Sequence, residues 1–144
     1  MRVLIDSNIL LDVISKREPF LKYSKAVISV CQQEVILGAI TAQTVADVFY
    51  ILRKEYSYDE RCRLLLGFCK ILHVIAVDGE KIVSALQNRD FTDFEDCLQA
   101  KCAVAFEADY IITRNVKHFE KSSITAITPE DFITNYRSLM TKKV

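Results

Sequence analysis

The sequence predicts an α/β domain in which a mainly parallel sheet is covered by helices on both faces. Short apolar runs of strand length alternate with segments whose apolar residues recur every three or four positions, the pattern of parallel strands joined by helical crossovers. Only 3 glycines and 2 prolines stand among 144 residues, too few for the tight hairpins of a turn-dense all-β fold. No repeat, linker or low-complexity stretch interrupts the pattern, and the length suits one domain over residues 1–144.

From the N-terminus, Arg2 to Asp6 forms a strand that ends in an acid, and Ser7-Asn8 opens a helix through Ile9, Leu10, Val13 and Ile14. Pro19 breaks the chain. Tyr23, Val27, Val30 and Cys31 then repeat at helical spacing, and Val35 to Ile40 is the second strand. Thr41 caps a helix carrying Val45, Val48, Ile51 and Leu52; the next helix spans Tyr58 to Leu72, with Cys62, Leu65, Leu66 and Cys69 on one face. His73 to Val77 is the third strand, and Asp78 caps the helix of Ile82, Val83 and Leu86. Thr92 and Glu95 have the spacing of a capping box ahead of the helix from Cys97 to Phe106. Asp109 to Thr113 is the fourth strand and Ile124 to Ile127 an edge strand. Thr128-Pro129 places a cap and a first-turn proline before a helix to Leu139, and Thr141–Val144 is a frayed tail.

Composition excludes several function classes. Gly38, Gly67 and Gly79 are too scattered for a dinucleotide fingerprint or a phosphate-binding loop. Lys+Arg and Asp+Glu both number 19, so no global field draws the chain onto nucleic acid and any such binding is local. Cys31, Cys62, Cys69, Cys97 and Cys102 are odd in number and lack paired short spacing, which suits reduced core residues better than a disulfide framework or a zinc site. The N-terminal MRVLIDSN has neither a signal peptide's apolar region nor a membrane span. A cytoplasmic protein without a membrane partner is expected.

In open parallel sheets ligands bind beyond the carboxyl ends of the strands, so acids just after strands carry the most information. Asp6 closes the first strand; it suits a helix cap as well as a site. Asp47 lies mid-helix beside an apolar stripe, where a carboxylate needs a partner or a solvated flank. Asp93 and Asp96 share one face of a first helical turn. The helix dipole accommodates one acid there more easily than two crowded with Glu95 and Asp90, and a bound cation relieves the repulsion. Thr113, Arg114 and Asn115 follow the fourth strand, where Arg114 can meet a phosphate and Asn115 can fix a water. Arg114, Lys117, His118 and Lys121 form a small basic group that suits an RNA backbone or a solvated face.

Together LIDSN, TAQTVADVFYIL, DFEDCLQAKCAVAFEADYIITRNVKHF and the closing ITPEDF resemble a PIN domain over essentially the whole chain, most like the VapC-type toxin ribonucleases or their stand-alone relatives. The resemblance implies a compact α/β/α sandwich and clustered acids that hold Mg²⁺ or Mn²⁺ for cleavage of single-stranded RNA. It places Asp6, Asp47 and Asp96 as the catalytic acids, with Asp6, Asp96, Asp93 and Asn115 around the metal. Ser7, Asn8, Thr113, Arg114 and Lys117 are the matching candidates for substrate binding. Two positions depart from the common pattern. Asp47 stands where glutamate is usual, one methylene shorter, and Asn115 stands where aspartate is frequent, without the charge.

The expected mechanism is metal-assisted attack of water on an RNA phosphodiester. The resemblance also implies a small antitoxin seated in the acidic groove and a homodimer. The alternatives are a stand-alone RNA-processing nuclease and a PIN-like module that binds RNA or a partner protein without cutting. A phosphatase of the haloacid-dehalogenase kind is disfavoured because Asn8 occupies the place of its second aspartate.

Overall fold

The computed structural model describes residues 1–142. β1 (Arg2–Ile5), β2 (Leu37–Thr41), β3 (His73–Ile75), β4 (Tyr110–Ile112) and β5 (Thr125–Ile127) form one sheet in the order β3-β2-β1-β4-β5. Every neighbouring pair is parallel. The helices are α1 (Ser7–Ile14), α2 (Leu21–Gln32), α3 (Ala42–Ile51), α4 (Tyr58–Ile71), α5 (Gly79–Gln87), α6 (Phe94–Ala105), α7 (Pro129–Thr134) and α8 (Tyr136–Thr141). Short 3₁₀ turns lie at Leu52–Lys54 and Val116–Phe119. Among the described residues no helix is long and apolar enough to cross a membrane.

The period-2 alternation of the strands makes the sandwich. Val3 and Ile5 on β1 join a large core with Ile40, Ile112, α1, α2, α3, α4 and Phe132 of α7. Leu4, between them, points to the opposite face and packs with Ala39, Ile111, Ala100, Ala103 and Phe119. Small residues on α6 let that helix lie close to the sheet, while α5 meets α6 through Ala85, Cys97 and Leu98. This is the α/β/α sandwich with a parallel central sheet that the sequence predicts.

Local chemistry starts the helices where expected. Thr41 accepts from Thr44 N–H, Asp78 from Lys81 N–H, and Thr128 from Asp131 N–H with Pro129 in the first turn. Each such cap contributes about 1 kcal/mol. Ser57 and Glu60 form a reciprocal capping box on α4, which the sequence reading did not single out.

Several expectations require correction. The capping box at Thr92 is absent: Asp93 is the cap, in extended conformation, and its Oδ1 accepts Asp96 N–H at 3.0 Å. On α4 the buried face is Leu65 and Phe68, whereas Leu66 and Cys69 are exposed. The run Leu64-Leu65-Leu66 permits either stripe, and packing against α2 and α3 selects one. Likewise Ile51 is exposed, while Leu52, expected on the same helix, is buried. Cys31, Cys97 and Cys102 are buried and free, but Cys62 is half-buried. The C-terminal helix breaks at Asn135, whose Nδ2 donates to the Asp131 carbonyl at 2.9 Å and competes with the helical ladder. The strands stop short of Asp6, Val77 and Thr113. Of the expected frayed tail Thr141–Val144, Thr141 ends α8 and Lys143 and Val144 fall outside the described residues.

The strand order runs outward from β1 in both directions, so the topological switch point lies between β1 and β4. Asp6 stands there: its N–H continues the ladder to the Ile112 carbonyl at 3.0 Å.

Candidate active site

Asp6 is 5% exposed and leaves β1 to cap α1. Its Oδ1 accepts Ser7 N–H at 2.7 Å and Gln99 Nε2 at 2.7 Å. Its Oδ2 accepts Thr113 Oγ1 at 2.7 Å and Asn8 Nδ2 at 3.2 Å. With Ser7 Oγ also 3.4 Å from Oδ1, donors from α1, from α6 and from the end of β4 fix the carboxylate on both oxygens.

Around it opens a cleft of about 200 Å³. Its walls bring together Asp6, Ser7 and Asn8 from the end of β1, Asp47 from α3, Glu95 and Asp96 from α6, and Asn115 from the loop after β4. Asp47 Oδ1 accepts Gln43 Nε2 at 2.9 Å, one helical turn away. Asp96 is pushed up to about 6, chiefly by burial and then by Asp93, while His118 opposes the rise from 3.3 Å. Glu95 is also raised, by burial first and then by Asp47 and Asp93. Crowded carboxylates with high proton affinity favour a positive guest.

Other candidates fall elsewhere. Asp93 is exposed, spends Oδ1 on the α6 cap and lines a neighbouring hollow with Lys117 and His118. Lys117 therefore faces Asp96 from outside the cleft. Thr113 is fully buried; its hydroxyl serves Asp6 and accepts Asn115 N–H at 3.0 Å, so it holds the site together and offers no surface to a substrate. Arg114 turns from the cleft to Asp12, with Nε 3.1 Å from Oδ2, and its guanidinium carbon lies 3.9 Å from the Phe20 ring centre.

Sequence reasoning did not single out Gln99 or Asp12. Gln99 follows Asp96 by three and Glu95 by four, which puts it on their helix face. Asp12 is a carboxylate inside the apolar run Ile9-Leu10-Leu11, and an acid in such a run needs a partner.

The donor set fits a hard divalent cation. Asn8 Oδ1 and Gln99 Oε1 are buried without a hydrogen-bond donor, because their amino groups point to Asp6. The carboxylates of Asp6, Asp47, Glu95 and Asp96 and the amide side chain of Asn115 line the cleft beside Leu11 and Leu98, and Mg²⁺ or Mn²⁺ takes such oxygens. Among the described residues no three acidic, histidine or cysteine side chains are grouped closely enough to enclose an ion alone. That geometry suits an ion such as Mg²⁺ that keeps several waters and few carboxylates.

Fold and cleft define a parallel α/β domain with an oxygen-lined acidic centre at its switch point. The chain belongs to the PIN domain family, whose sequence profile matches residues 2–117. It is 25% identical over 145 residues to Ribonuclease VapC1 of Aquifex aeolicus, covering 96% of this chain and 97% of that one. In three dimensions it is similar to VapBC2 from Rickettsia felis bound to a promoter DNA fragment, with a TM-score of 0.68 and 19% identity over 89% of this chain and 98% of that one. A toxin–antitoxin complex from Klebsiella pneumoniae matches with a TM-score of 0.64 and 25% identity, covering 88% and 97%.

Proposed function

We propose that the protein is a divalent-metal-dependent endoribonuclease that hydrolyses phosphodiester bonds in single-stranded regions of RNA, as the toxin of a toxin–antitoxin pair. The observation that carries this reading is the meeting of Asp6, Asp47, Glu95 and Asp96 on one cleft at the switch point. The likeness to Ribonuclease VapC1 supports the reaction class, and the likeness to VapBC2 and to the Klebsiella complex supports a protein partner.

Asp6 and Asp96 would hold Mg²⁺ or Mn²⁺, with Asp47 and Asn115 reaching it through water. When bound, the ion supplies positive charge against the phosphate as negative charge builds on it. Ser7, Asn8, Gln99 and Thr113 keep the Asp6 carboxylate oriented through the reaction. Glu95, whose proton affinity is raised, is suited to take a proton from the attacking water. A small antitoxin with a basic residue would complement the same acidic walls. A second copy of the chain is the other partner of this reading, and Ile82, Val83 and Leu86 on α5 are exposed apolar side chains available to it. The site of action is the cytoplasm, where its RNA lies.

A second reading is a module that binds RNA or protein without cutting. It is favoured by the shorter reach of Asp47 and by Asn115, which carries no charge.

The deciding experiment incubates the protein, freed of partners, with single-stranded and structured RNAs in Mg²⁺ or Mn²⁺, with EDTA and Asp96→Asn as controls. Cleavage lost in both controls supports the nuclease. A folded protein that binds RNA and yields no product in either metal supports the binding module.

A further inference from the structure

The loop after β4 serves two hollows. Asn115 lines the acidic cleft, and Arg114, the preceding residue, lines a separate hollow of about 420 Å³ walled by Pro19, Phe20, Tyr23 and Pro129. Arg114 is held from behind by Asp12, which is fully buried on α1 and accepts Ser24 Oγ at 2.9 Å. The second oxygen of Asp12 has no donor. Burying a carboxylate this deeply is costly, and its charged partner is Arg114. The ion pair leaves the guanidinium over Phe20, its carbon 3.9 Å from the ring centre, although Nε makes no aligned hydrogen bond to Asp12. Among the described residues the terminal Nη groups of Arg114 make no hydrogen bond.

We infer that this hollow is a nucleobase subsite, seating the base of a nucleotide next to the phosphate in the acidic cleft; the inference rests on the RNA-cleaving reading above. Phe20, 39% exposed, carries Arg114 over one ring face and lines the hollow with Tyr23; aromatic rings and guanidinium planes are both surfaces on which any base can stack. Arg114 offers free donors to the base edge or to the intervening phosphate. Glu130 on the rim repels a phosphate and so favours an uncharged ring within. Arg114 and Asn115 are consecutive, so the loop after β4 contributes to both cleft and hollow, and the subsite would receive the nucleotide next to a phosphate held in the cleft. Asp12 is a positioning residue that acts through Arg114.

The test uses labelled single-stranded RNAs with one abasic residue on either side of the cleavage point. Cleavage is measured in Mg²⁺ and binding by anisotropy in EDTA, for wild type, Phe20→Ala and Phe20→Leu; the leucine keeps the apolar volume without the ring face. Phe20→Ala is expected to raise KM and weaken binding by about tenfold, with kcat within about twofold. One abasic position should impose the same loss on wild type and none further on either variant. Unchanged KM in both variants, or abasic and Phe20 penalties that multiply, overturns the subsite while leaving the ribonuclease reading intact. Wild type that neither cuts nor binds RNA overturns both readings. Loss of a protein partner in the Phe20 variants with RNA binding unchanged assigns the hollow to a peptide side chain and overturns the base.

Discussion

Gln99 donates Nε2–H to Oδ1 of Asp6 at 2.7 Å, tying the end of β1 to a helix 93 positions further along the chain. The same carboxylate is tied to the end of β4 through Thr113 at 2.7 Å. Beyond its local donors Ser7 and Asn8, Asp6 is thus oriented by contacts that exist only when β1, β4 and α6 are assembled. A completed fold is the condition for a defined site.

Thr113→Val tests this without changing shape. It removes the buried donor to Asp6 Oδ2 and the part-buried acceptor for Asn115 N–H. The expected cost is about 1 to 3 kcal/mol in urea unfolding. If Asp6 acts in cleavage, kcat falls further than KM rises, because orientation is lost and not substrate surface.

Asp96 supplies a pH test in metal-free buffer. Its folded value is raised from the usual 3.8 to about 6, so the folded state holds the proton more tightly than the unfolded chain. The stability from this group is full below about pH 4 and is lost as pH rises through about 6. Asp96→Asn removes that loss. At pH 7 the variant should be more stable than wild type by about 1 to 3 kcal/mol, with the gap closing toward pH 4. A variant less stable than wild type at pH 7 contradicts the crowding of these acids.

What was legible in the sequence followed from local physics. The alternation of strands and helices, the caps at Thr41, Asp78 and Thr128, and the acids after strands need only a few neighbouring residues to show themselves. Local pattern could not choose between Leu65 and Leu66 as the buried face of α4, because both stripes are apolar and the choice lies in tertiary packing. Nor could it show that Arg114 would turn to Asp12, 102 positions earlier, away from the acids beside it in sequence. Asp93 and Asp96 look equivalent at a spacing of three, yet the α6 cap consumes one and leaves the other in the cleft.

Asp12→Ala leaves the Arg114 cation and the Ser24 hydroxyl without their common partner. We expect a loss of about 2 to 4 kcal/mol, less than for a wholly buried pair because the Arg114 side chain is 24% exposed. The double replacement Asp12→Leu with Arg114→Met should recover much of it. If Asp12→Leu and Arg114→Met, each also measured alone, add strictly in the double variant, the two groups do not interact.

Gly38 lies on β2 where a Cβ would come within 2.6 Å of Cys31 Sγ and 2.8 Å of Leu72 Cδ2. Gly38→Ala should cost about 1 to 3 kcal/mol by overpacking between the sheet and the helices α2 and α4. Adding Cys31→Ala removes the nearer clash, so the double variant should be more stable than Gly38→Ala alone, as read from thermal unfolding.

Mg²⁺ itself discriminates between the acids. An ion that binds only the folded protein at ten times below its applied concentration adds about 1.4 kcal/mol of stability, a rise of about 3 to 5 °C in Tm. Wild type should show this rise, and Asp96→Asn should lose most of it even though its metal-free form starts higher. Asp93→Ala should behave oppositely. It forfeits the α6 cap, about 1 kcal/mol, yet keeps the Mg²⁺-dependent rise, because Asp93 stands outside the cleft lining. If the rise disappears in Asp93→Ala and persists in Asp96→Asn, the cation sits in the neighbouring hollow of Asp93 and Lys117, and the cleft around Asp6 is not the metal centre.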